Sequence, residues 1–155
     1  MKKIYKARLF LVAYLLLAPQ ICAAAVLPEV DAWYCDELRI TALDTVSGNR
    51  GSWQERDYIT DAGARIHAIW MEGAGEKGWL PAKDTISADD GLMGRGATYR
   101  TIVIAGNKAL IEKHPITGFS VAVKIDNKGT LTVESKYALE EDVLPAAETL
   151  AEMME

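Results

Sequence analysis

Apolar residues occupy every second position in several segments of this chain, and the clearest example runs from Phe119 to Ile125. Smaller or polar residues fill the positions between them, which is the period of a β-strand with one buried face. Residues 126–129, Asp-Asn-Lys-Gly, have the composition of a tight hairpin turn in which Gly129 is free to take a positive φ. This region therefore predicts a strand that ends in a hairpin.

Six further segments are predicted to be strands from the same alternation or from their β-branched and aromatic content. They cover residues 38–43, 53–60, 65–71, 98–105, 108–114 and 130–134. Residues 47–51 have the composition of a turn. Residues 61–63, Asp-Ala-Gly, predict a short hairpin connection between two of these strands.

The predicted strand over residues 65–71 has two distinct faces, because side chains alternate across a strand. One face carries Ile66, Ala68 and Trp70, and the other carries Arg65, His67 and Ile69. The first face is apolar throughout, so we expect Trp70 to lie in the core.

Near the C terminus the period changes from two to that of a helix. Apolar residues recur there at steps of four, three and four, at Val143, Ala147, Leu150 and Met154. Pro145 fits a first helical turn, where its missing N–H costs nothing. The helix is therefore predicted to begin near Glu141 or Asp142, where acidic residues suit the positive end of the helix dipole.

Residues 73–96 break every one of these patterns. The segment holds six of the 12 glycines and no sustained period, and a loop of this length inside a compact domain is often functional. The elements around it predict an α+β fold, with an antiparallel sheet of about seven strands and the C-terminal amphipathic helix packed on one face.

The order of these elements and the segment 104–112, Ile-Ala-Gly-Asn-Lys-Ala-Leu-Ile-Glu, carry a resemblance to known domains. From about residue 38 to residue 154 the chain resembles the sheet-and-helix domains of the Mog1/PsbP-like fold and small exported bacterial proteins of unassigned function. Members of that fold are mostly binding and assembly accessories, so the resemblance implies accessory work and transfers no functional residue. A cystatin-like sheet around a helix is the structural alternative.

The first 25 residues have the order of a secretory signal peptide. Basic residues are followed by an apolar run of ten, from Leu9 to Ala18, and then by the small residues Ala23 to Ala25. A bilayer span needs about 20 apolar residues, so the run is too short to cross one. We expect cleavage after Ala25, a single α+β domain over residues 26–155 with no membrane span, and a periplasmic or secreted location.

The expected mature domain is strongly acidic. The signal carries four of the 17 Lys and Arg residues and none of the 22 Asp and Glu residues, so residues 26–155 carry 13 basic and 22 acidic side chains, a formal charge of −9 against −5 for the whole chain. Such a charge disfavours nucleic acid and anionic membrane surfaces as partners. Acidity also favours solubility.

Cysteine usage sets further limits. Cys22 lies in the signal and follows Pro-Gln-Ile, which does not match a lipoprotein signal, so no lipid anchor is expected. Cys35 is then the only mature cysteine, and no internal disulfide can form. A lone exported cysteine indicates intermolecular pairing, a reactive thiol or a small buried side chain, and the aromatic residues beside Cys35 favour burial.

The chain has only two histidines, His67 and His114, and an alternative function uses one of them in a small envelope hydrolase. Such an enzyme needs a nucleophile, a base and an orienting acid brought together in space. The sequence contains no Gly-x-Ser-x-Gly elbow, and His114 precedes Pro115 at a strand end, where a solvated histidine is common. No catalytic residue is predicted, and a non-catalytic protein is favoured.

Metal and cofactor motifs are also weak. The sequence has no zinc-ligand spacing, and Asp84, Asp89 and Asp90 do not match an EF-hand calcium loop, so a turn or a helix cap explains them better. Residues 73–78 match the letters G-x-G-x-x-G, but Trp-Leu-Pro follows in place of the helix that a dinucleotide site requires. No metal and no cofactor are predicted.

The long segment 73–96 is the candidate binding site. Its apolar residues either fold back onto the sheet or form an exposed surface for a protein or an apolar small ligand. The residues predicted to line that site are Trp79, Leu92, Met93, Arg95 and Tyr99. The leading hypothesis is an exported accessory or binding protein with an unknown partner in the cell envelope. The other alternative is a structural or self-associating envelope protein, with a possible homodimer through Cys35.

Overall fold

The computed structural model describes residues 25–44, 50–73, 85–87, 96–126 and 128–155. Within these ranges it contains nine strands and one helix. Their bounds are β1 Tyr34–Cys35, β2 Arg39–Asp44, β3 Arg50–Ile59, β4 Arg65–Glu72, β5 Thr85–Ser87, β6 Thr98–Ile104, β7 Asn107–His114, β8 Gly118–Ile125, β9 Gly129–Ser135 and α1 Glu140–Met154. The predicted signal peptide, apart from its last residue Ala25, lies outside the described residues.

All strand pairs in the sheet are antiparallel, in the order β1-β3-β4-β9-β8-β7-β6-β5. β2 pairs with the same edge of β3 as β1 does, but with the opposite end of that strand. β9 lies between β4 and β8, so the last strand of the chain joins β3–β4 to β6–β8.

The prediction of an antiparallel sheet with a C-terminal helix is confirmed. The seven predicted strands correspond to β2, β3, β4, β6, β7, β8 and β9. β1 and β5 are additional, and β5 lies inside the segment that was predicted to be a loop throughout. The predicted turn over residues 47–51 was also too long, since Arg50 and Gly51 already belong to β3.

One face of the sheet forms the core. Trp70 is fully buried, as predicted, and packs with the inward side chains of the neighbouring strands. Helix α1 contacts β8 and β9 and contributes its apolar stripe to the same core. The buried residues of that stripe are Val143, Ala146, Ala147, Leu150, Ala151 and Met154. We call the opposite face of the sheet the outer face.

Residues 25–30, which we call the N-terminal strap, cover the core face of β3. Leu27 is buried, and its backbone N–H donates to Oε1 of Gln54 at 3.1 Å. Nε2 of Gln54 donates to the carbonyl of Ala25 at 2.9 Å. Further along β3, the Tyr58 hydroxyl donates to the carbonyl of Pro28 at 2.8 Å. Polar residues on the buried face of β3 thereby obtain partners from the strap backbone.

Helix α1 begins at Glu140, one residue before the predicted range. The carboxylate of Asp142 accepts a hydrogen bond from the backbone N–H of Leu139 at 3.3 Å, which stabilises the first turn. Pro145 is therefore the sixth helical residue, and its predicted position in the first turn was wrong. A proline there leaves the carbonyl of Glu141 without its helical donor, and Glu141 is exposed, so water can serve instead.

Gly129 has a different role from the predicted one. It does not have a positive φ; among the described residues of this hairpin, Asp126 has one, with φ 41°. A Cβ built on Gly129 would lie 2.5 Å from the carbonyl oxygen of Met71 and 2.6 Å from the indole of Trp70. Glycine is required because β9 passes directly against this buried ring.

Candidate functional site

The outer face carries a cleft of about 640 Å³ at one end of the sheet. Strands β1, β3, β4 and β9 meet there, beside the turn between β7 and β8. The lining residues are Tyr34, Asp36, Asp57, Tyr58, Ile59, Arg65, Ile66, His67, Thr117, Glu134, Ser135, Lys136 and Tyr137. The lining combines charged side chains with the apolar surfaces of tyrosines and isoleucines, so the cleft can bind a ligand through both polar and apolar contacts.

Two tyrosines of the cleft are largely exposed. Tyr34 in β1 is 64% exposed, and Tyr137, which follows β9, is 82% exposed. Ile116, which adjoins the cleft residue Thr117 in the chain, is also more than half exposed. Exposed aromatic and aliphatic side chains that gather at one place are typical of contact surfaces.

His67 lies in the cleft with a carboxylate on each ring nitrogen. The β3–β4 register places it directly opposite Asp57. Its Nδ1 is 2.7 Å from Oδ1 of Asp57, a hydrogen-bond distance, and its Nε2 is 3.7 Å from Oε1 of Glu55. The imidazole is half-buried between these two acids, and both nitrogens are directed at protein groups.

Arg39 in β2 joins this cluster from the other side of β3. Its Nη2 donates to Oδ2 of Asp57 at 3.3 Å, and its Nε is 3.8 Å from Oε2 of Glu55. Each carboxylate of the cluster is therefore shared between an arginine and a histidine. The four side chains form an ion-pair network across three adjacent strands, β2, β3 and β4.

This geometry does not support His67 as a catalytic base. A base in a hydrolase uses one ring nitrogen for the orienting acid and presents the other to the nucleophile, whereas both nitrogens of His67 face carboxylates. The serine of the cleft, Ser135, donates its hydroxyl to the carbonyl of Arg65 at 2.6 Å and accepts from the backbone N–H of Ala138. That hydroxyl is engaged in holding β9 and the following turn.

His114 has a local structural role at the end of β7. Its Nδ1 accepts hydrogen bonds from the backbone N–H groups of Ile116 and Thr117 at 3.1 and 3.2 Å. The ring therefore organises the turn that brings Thr117 to the cleft. His67 and His114 lie at the same end of the sheet but in separate arrangements.

Only one of the five predicted binding residues falls on a described part of the chain. Tyr99 is half-buried in β6, opposite Glu112 of β7 and Ile86 of β5. The strands β7, β8 and β9 separate it from β4, so the structure does not bring it to the cleft. Trp79, Leu92, Met93 and Arg95 lie outside the described residues, as do Asp84, Asp89 and Asp90 of the calcium alternative.

Cys35 is a free, half-buried thiol that packs against the core. The backbone N–H of Val30 lies 3.5 Å from its Sγ, and the carbonyls of Val30 and Trp33 lie 3.9 and 3.8 Å away. The thiol therefore closes the bend between the strap and β1.

The described residues contain neither a cluster of metal-ligating side chains nor a membrane-spanning helix. Among them, no group of three or more His, Cys, Asp and Glu side chains is placed to hold a metal ion. In the same ranges, no helix has the length and the apolar character needed to cross a membrane.

Comparisons of the chain with protein-family models, with curated proteins and with solved structures found no match. The interpretation of the cleft therefore depends on its own residues. His67 was a candidate from the sequence alone. Its partners Arg39, Glu55 and Asp57 were not predicted, nor were the exposed tyrosines of the cleft. The signal that was present is the turn over residues 61–63, which fixes the β3–β4 register and hence the pairing of Asp57 with His67.

Proposed function

We propose that this protein is an exported, non-catalytic binding or accessory module of the cell envelope, and that the outer-face cleft is part of its binding surface. The observation that carries the proposal is the exposure of Tyr34 and Tyr137 on either side of a 640 Å³ cleft. Tyrosine provides a large contact area at a low cost in side-chain entropy. The ion-pair network around His67 supports a rigid recognition surface rather than a reaction centre.

Export is supported by the charge, apolar run and small residues of positions 1–25. Cleavage after Ala25 removes one partner of Gln54, the Ala25 carbonyl, and keeps the backbone N–H of Leu27 and the Ser52 hydroxyl. In a chain that begins at Val26, the Leu27 N–H still donates to Gln54, and the Pro28 carbonyl still accepts from Tyr58. N-terminal sequencing of the exported protein tests this step: a first residue of Val26 is expected, and an intact Met1 contradicts export by this signal.

The segment 73–96 belongs to the same proposal as a second contact region. Trp79, Leu92, Met93 and Arg95 are its proposed contact residues, together with Tyr99 of β6. Deletion of residues 76–92 is expected to abolish partner capture while thermal unfolding stays cooperative. Loss of folding would instead assign the segment a structural role.

A photo-crosslinking experiment tests the cleft directly. Benzoylphenylalanine replaces Tyr34 or Tyr137 in the exported protein, and the control positions are Val103 in β6 and Met153 in α1, which are also exposed. A binding module that uses the cleft gives a discrete adduct in the cell envelope from Tyr34 and Tyr137 and none from the two controls. Absence of adducts at the tyrosines, or equal labelling at all four positions, contradicts the proposal.

A further inference from the structure

We infer that Arg65 and Lys136 form the carboxylate-binding end of this cleft, and that its ligand is an extended polypeptide segment with an acidic side chain. This inference rests on the proposed binding function and names the chemistry of the ligand. Its basis is the proximity of two cations that have no anionic partner in the described part of the chain, two exposed tyrosines, and a second cavity that shares Arg65 and Tyr137 with the cleft.

The sheet topology brings the two cations together from distant parts of the chain. β4 and β9 pair antiparallel, with His67 opposite Glu134. β9 ends at Ser135, whose hydroxyl donates to the Arg65 carbonyl at 2.6 Å, so Lys136, the next residue, lies close to Arg65. Both residues are exposed and line the cleft, so two positive side chains stand side by side at the end of the outer face.

Three arginines of the described structure have an acidic partner, unlike Arg65 and Lys136. Arg39 pairs with Asp57 and Glu55, and Arg100 pairs with Glu140. Arg56 is buried beside Glu29. Neither Arg65 nor Lys136 has an ion-pair partner among the described residues. Paired like charges without a counter-ion favour the binding of an anion, and the arginine fork binds a carboxylate with two hydrogen bonds.

The acidic residues of the cleft orient such a ligand. Asp57 is already paired with Arg39 and hydrogen-bonded to His67, whereas Asp36 and Glu134 leave the rest of the lining negative. A ligand carboxylate is therefore repelled from that part and directed to the end with Arg65 and Lys136. The whole chain has a formal charge of −5, so this basic pair is locally opposite in sign to the chain as a whole.

The shape of the site favours an extended peptide over a small anion. A second cavity of about 340 Å³ shares Arg65 and Tyr137 with the cleft and continues along the β3–β4 turn to Asp142 in the first turn of α1. The two cavities therefore adjoin at Arg65 and Tyr137, and we refer to them together as one groove. The ammonium of Lys136 lies 5.5 Å from the centre of the Tyr137 ring, a cation–π contact that holds both side chains at the junction.

Fluorescence anisotropy with synthetic peptides tests the inference. The probe is a labelled peptide of alternating glutamate and valine, and the comparison peptides replace glutamate by glutamine or by lysine. The glutamate peptide is expected to bind, and the double variant R65Q/K136Q is expected to lower its affinity about tenfold or more, because the charge-assisted hydrogen bonds to the ligand carboxylate are lost. Binding should also weaken as salt is added.

The matched control is K108Q/K113Q, which removes the same charge from two exposed lysines of β7 that do not line the cleft. It is expected to leave the affinity unchanged. Equal loss in both double variants would assign binding to the overall charge and overturn the inference. Equal binding of the glutamine peptide, or binding of anionic phosphatidylglycerol vesicles but not of the peptide, would overturn it as well. Crosslinks at Tyr34 and Tyr137 without carboxylate preference would retain the binding function and reject only this ligand.

Discussion

The hydroxyl of Tyr58 donates a 2.8 Å hydrogen bond to the carbonyl of Pro28 and so ties the end of β3 to the N-terminal strap. The ring is buried and meets Trp33 edge-on, with 5.8 Å between the ring centres. Tyr58 is also one of the residues that line the cleft. Strap and cleft therefore share a supporting residue, and the anchoring of the strap affects the floor of the proposed binding site.

Alkaline pH should release this contact. Burial holds the pKa of Tyr58 above its ordinary value of 10.0, although the nearby Arg56 acts in the opposite direction. The folded chain then keeps a proton that the unfolded chain loses, so the stabilisation is fully present below about pH 10 and is lost as the pH rises above it. Urea unfolding at about pH 8 and pH 11 should show a smaller alkaline loss of stability for Tyr58→Phe than for the wild type.

The matched control for that experiment is Tyr137→Phe, because Tyr137 is 82% exposed. Its alkaline loss of stability should equal that of the wild type. At about pH 8, Tyr58→Phe should itself cost about 1 kcal/mol, since the Pro28 carbonyl loses its donor. An alkaline loss that is the same in all three proteins would show that Tyr58 titrates normally.

Arg56 is a buried cation with incomplete pairing. Its Nε and Nη1 have no hydrogen-bond partner among the described residues, and its Nη2 lies 3.9 Å from the exposed carboxylate of Glu29. Replacing incompletely paired buried charges by apolar side chains of similar size is often neutral or stabilising by about 1–4 kcal/mol. Arg56→Met should therefore raise the denaturant midpoint, whereas Arg65→Met at an exposed position should leave it unchanged. A clear fall in the midpoint for Arg56→Met would indicate that Arg56 has stronger partners than Glu29.

Local patterns in the sequence predicted most of the strands because apolar residues recur in them with a period of two, although residues 39–42 of β2 are all exposed. The hairpin over residues 61–63 also contains the information that sets Asp57 opposite His67, since Ile59 pairs with Arg65 across it. β1 and β5, of two and three residues, are too short to show a period. Their existence depends on pairing with β3 and β6.

The basic end of the cleft could not be predicted from local patterns. It depends on β9 lying beside β4, and these strands are separated by more than fifty residues of chain. The alternation in each strand identifies which side chains share a face, but it does not identify the neighbouring strand. Arg65 and Lys136 are therefore adjacent only once the sheet order is known.

Substitutions of Gly129 can distinguish two reasons for a glycine at this position: a positive φ, or a lack of space for a Cβ beside Trp70. A glycine kept for a positive φ is replaced better by asparagine than by alanine, since asparagine tolerates that conformation. Here the Trp70 ring and the Met71 carbonyl occupy the space of any Cβ, so Gly129→Ala should cost about 1–3 kcal/mol and Gly129→Asn at least as much. Chemical denaturation measures both variants.

The control is Gly63, which has φ 83° and no atom within 4 Å of its Cβ position. Gly63→Asn should be tolerated better than Gly63→Ala. Rescue by asparagine at position 129 as well would show that Gly129 is kept for its backbone conformation and not for its contact with Trp70.

Pro145 is expected to destabilise α1, so that its replacement by alanine raises the free energy of unfolding. As the sixth helical residue it cannot donate to the Glu141 carbonyl, and a proline in a helix interior costs up to about 3 kcal/mol relative to alanine. Pro145→Ala restores the donor but also frees the unfolded chain, which offsets up to about 1 kcal/mol. A net rise in unfolding free energy is expected. Glu148→Ala, at an exposed position of the same helix, is the control for a general gain in helix propensity and should change stability by a few tenths of a kcal/mol.

The pair of His67 and Asp57 should show a measurable but modest coupling energy. The side chains are 25% and 47% exposed, and ion pairs with this exposure contribute about 0.2–1 kcal/mol. A double-mutant cycle with His67→Gln and Asp57→Asn, measured by urea unfolding at about pH 6, should give a coupling in that range that decreases in 1 M salt. The control cycle combines Asp57→Asn with Lys108→Gln, which lies on a distant strand, and should give no coupling. A His67–Asp57 coupling that is absent, or that is unchanged by salt, would contradict an ion-pair network at the cleft.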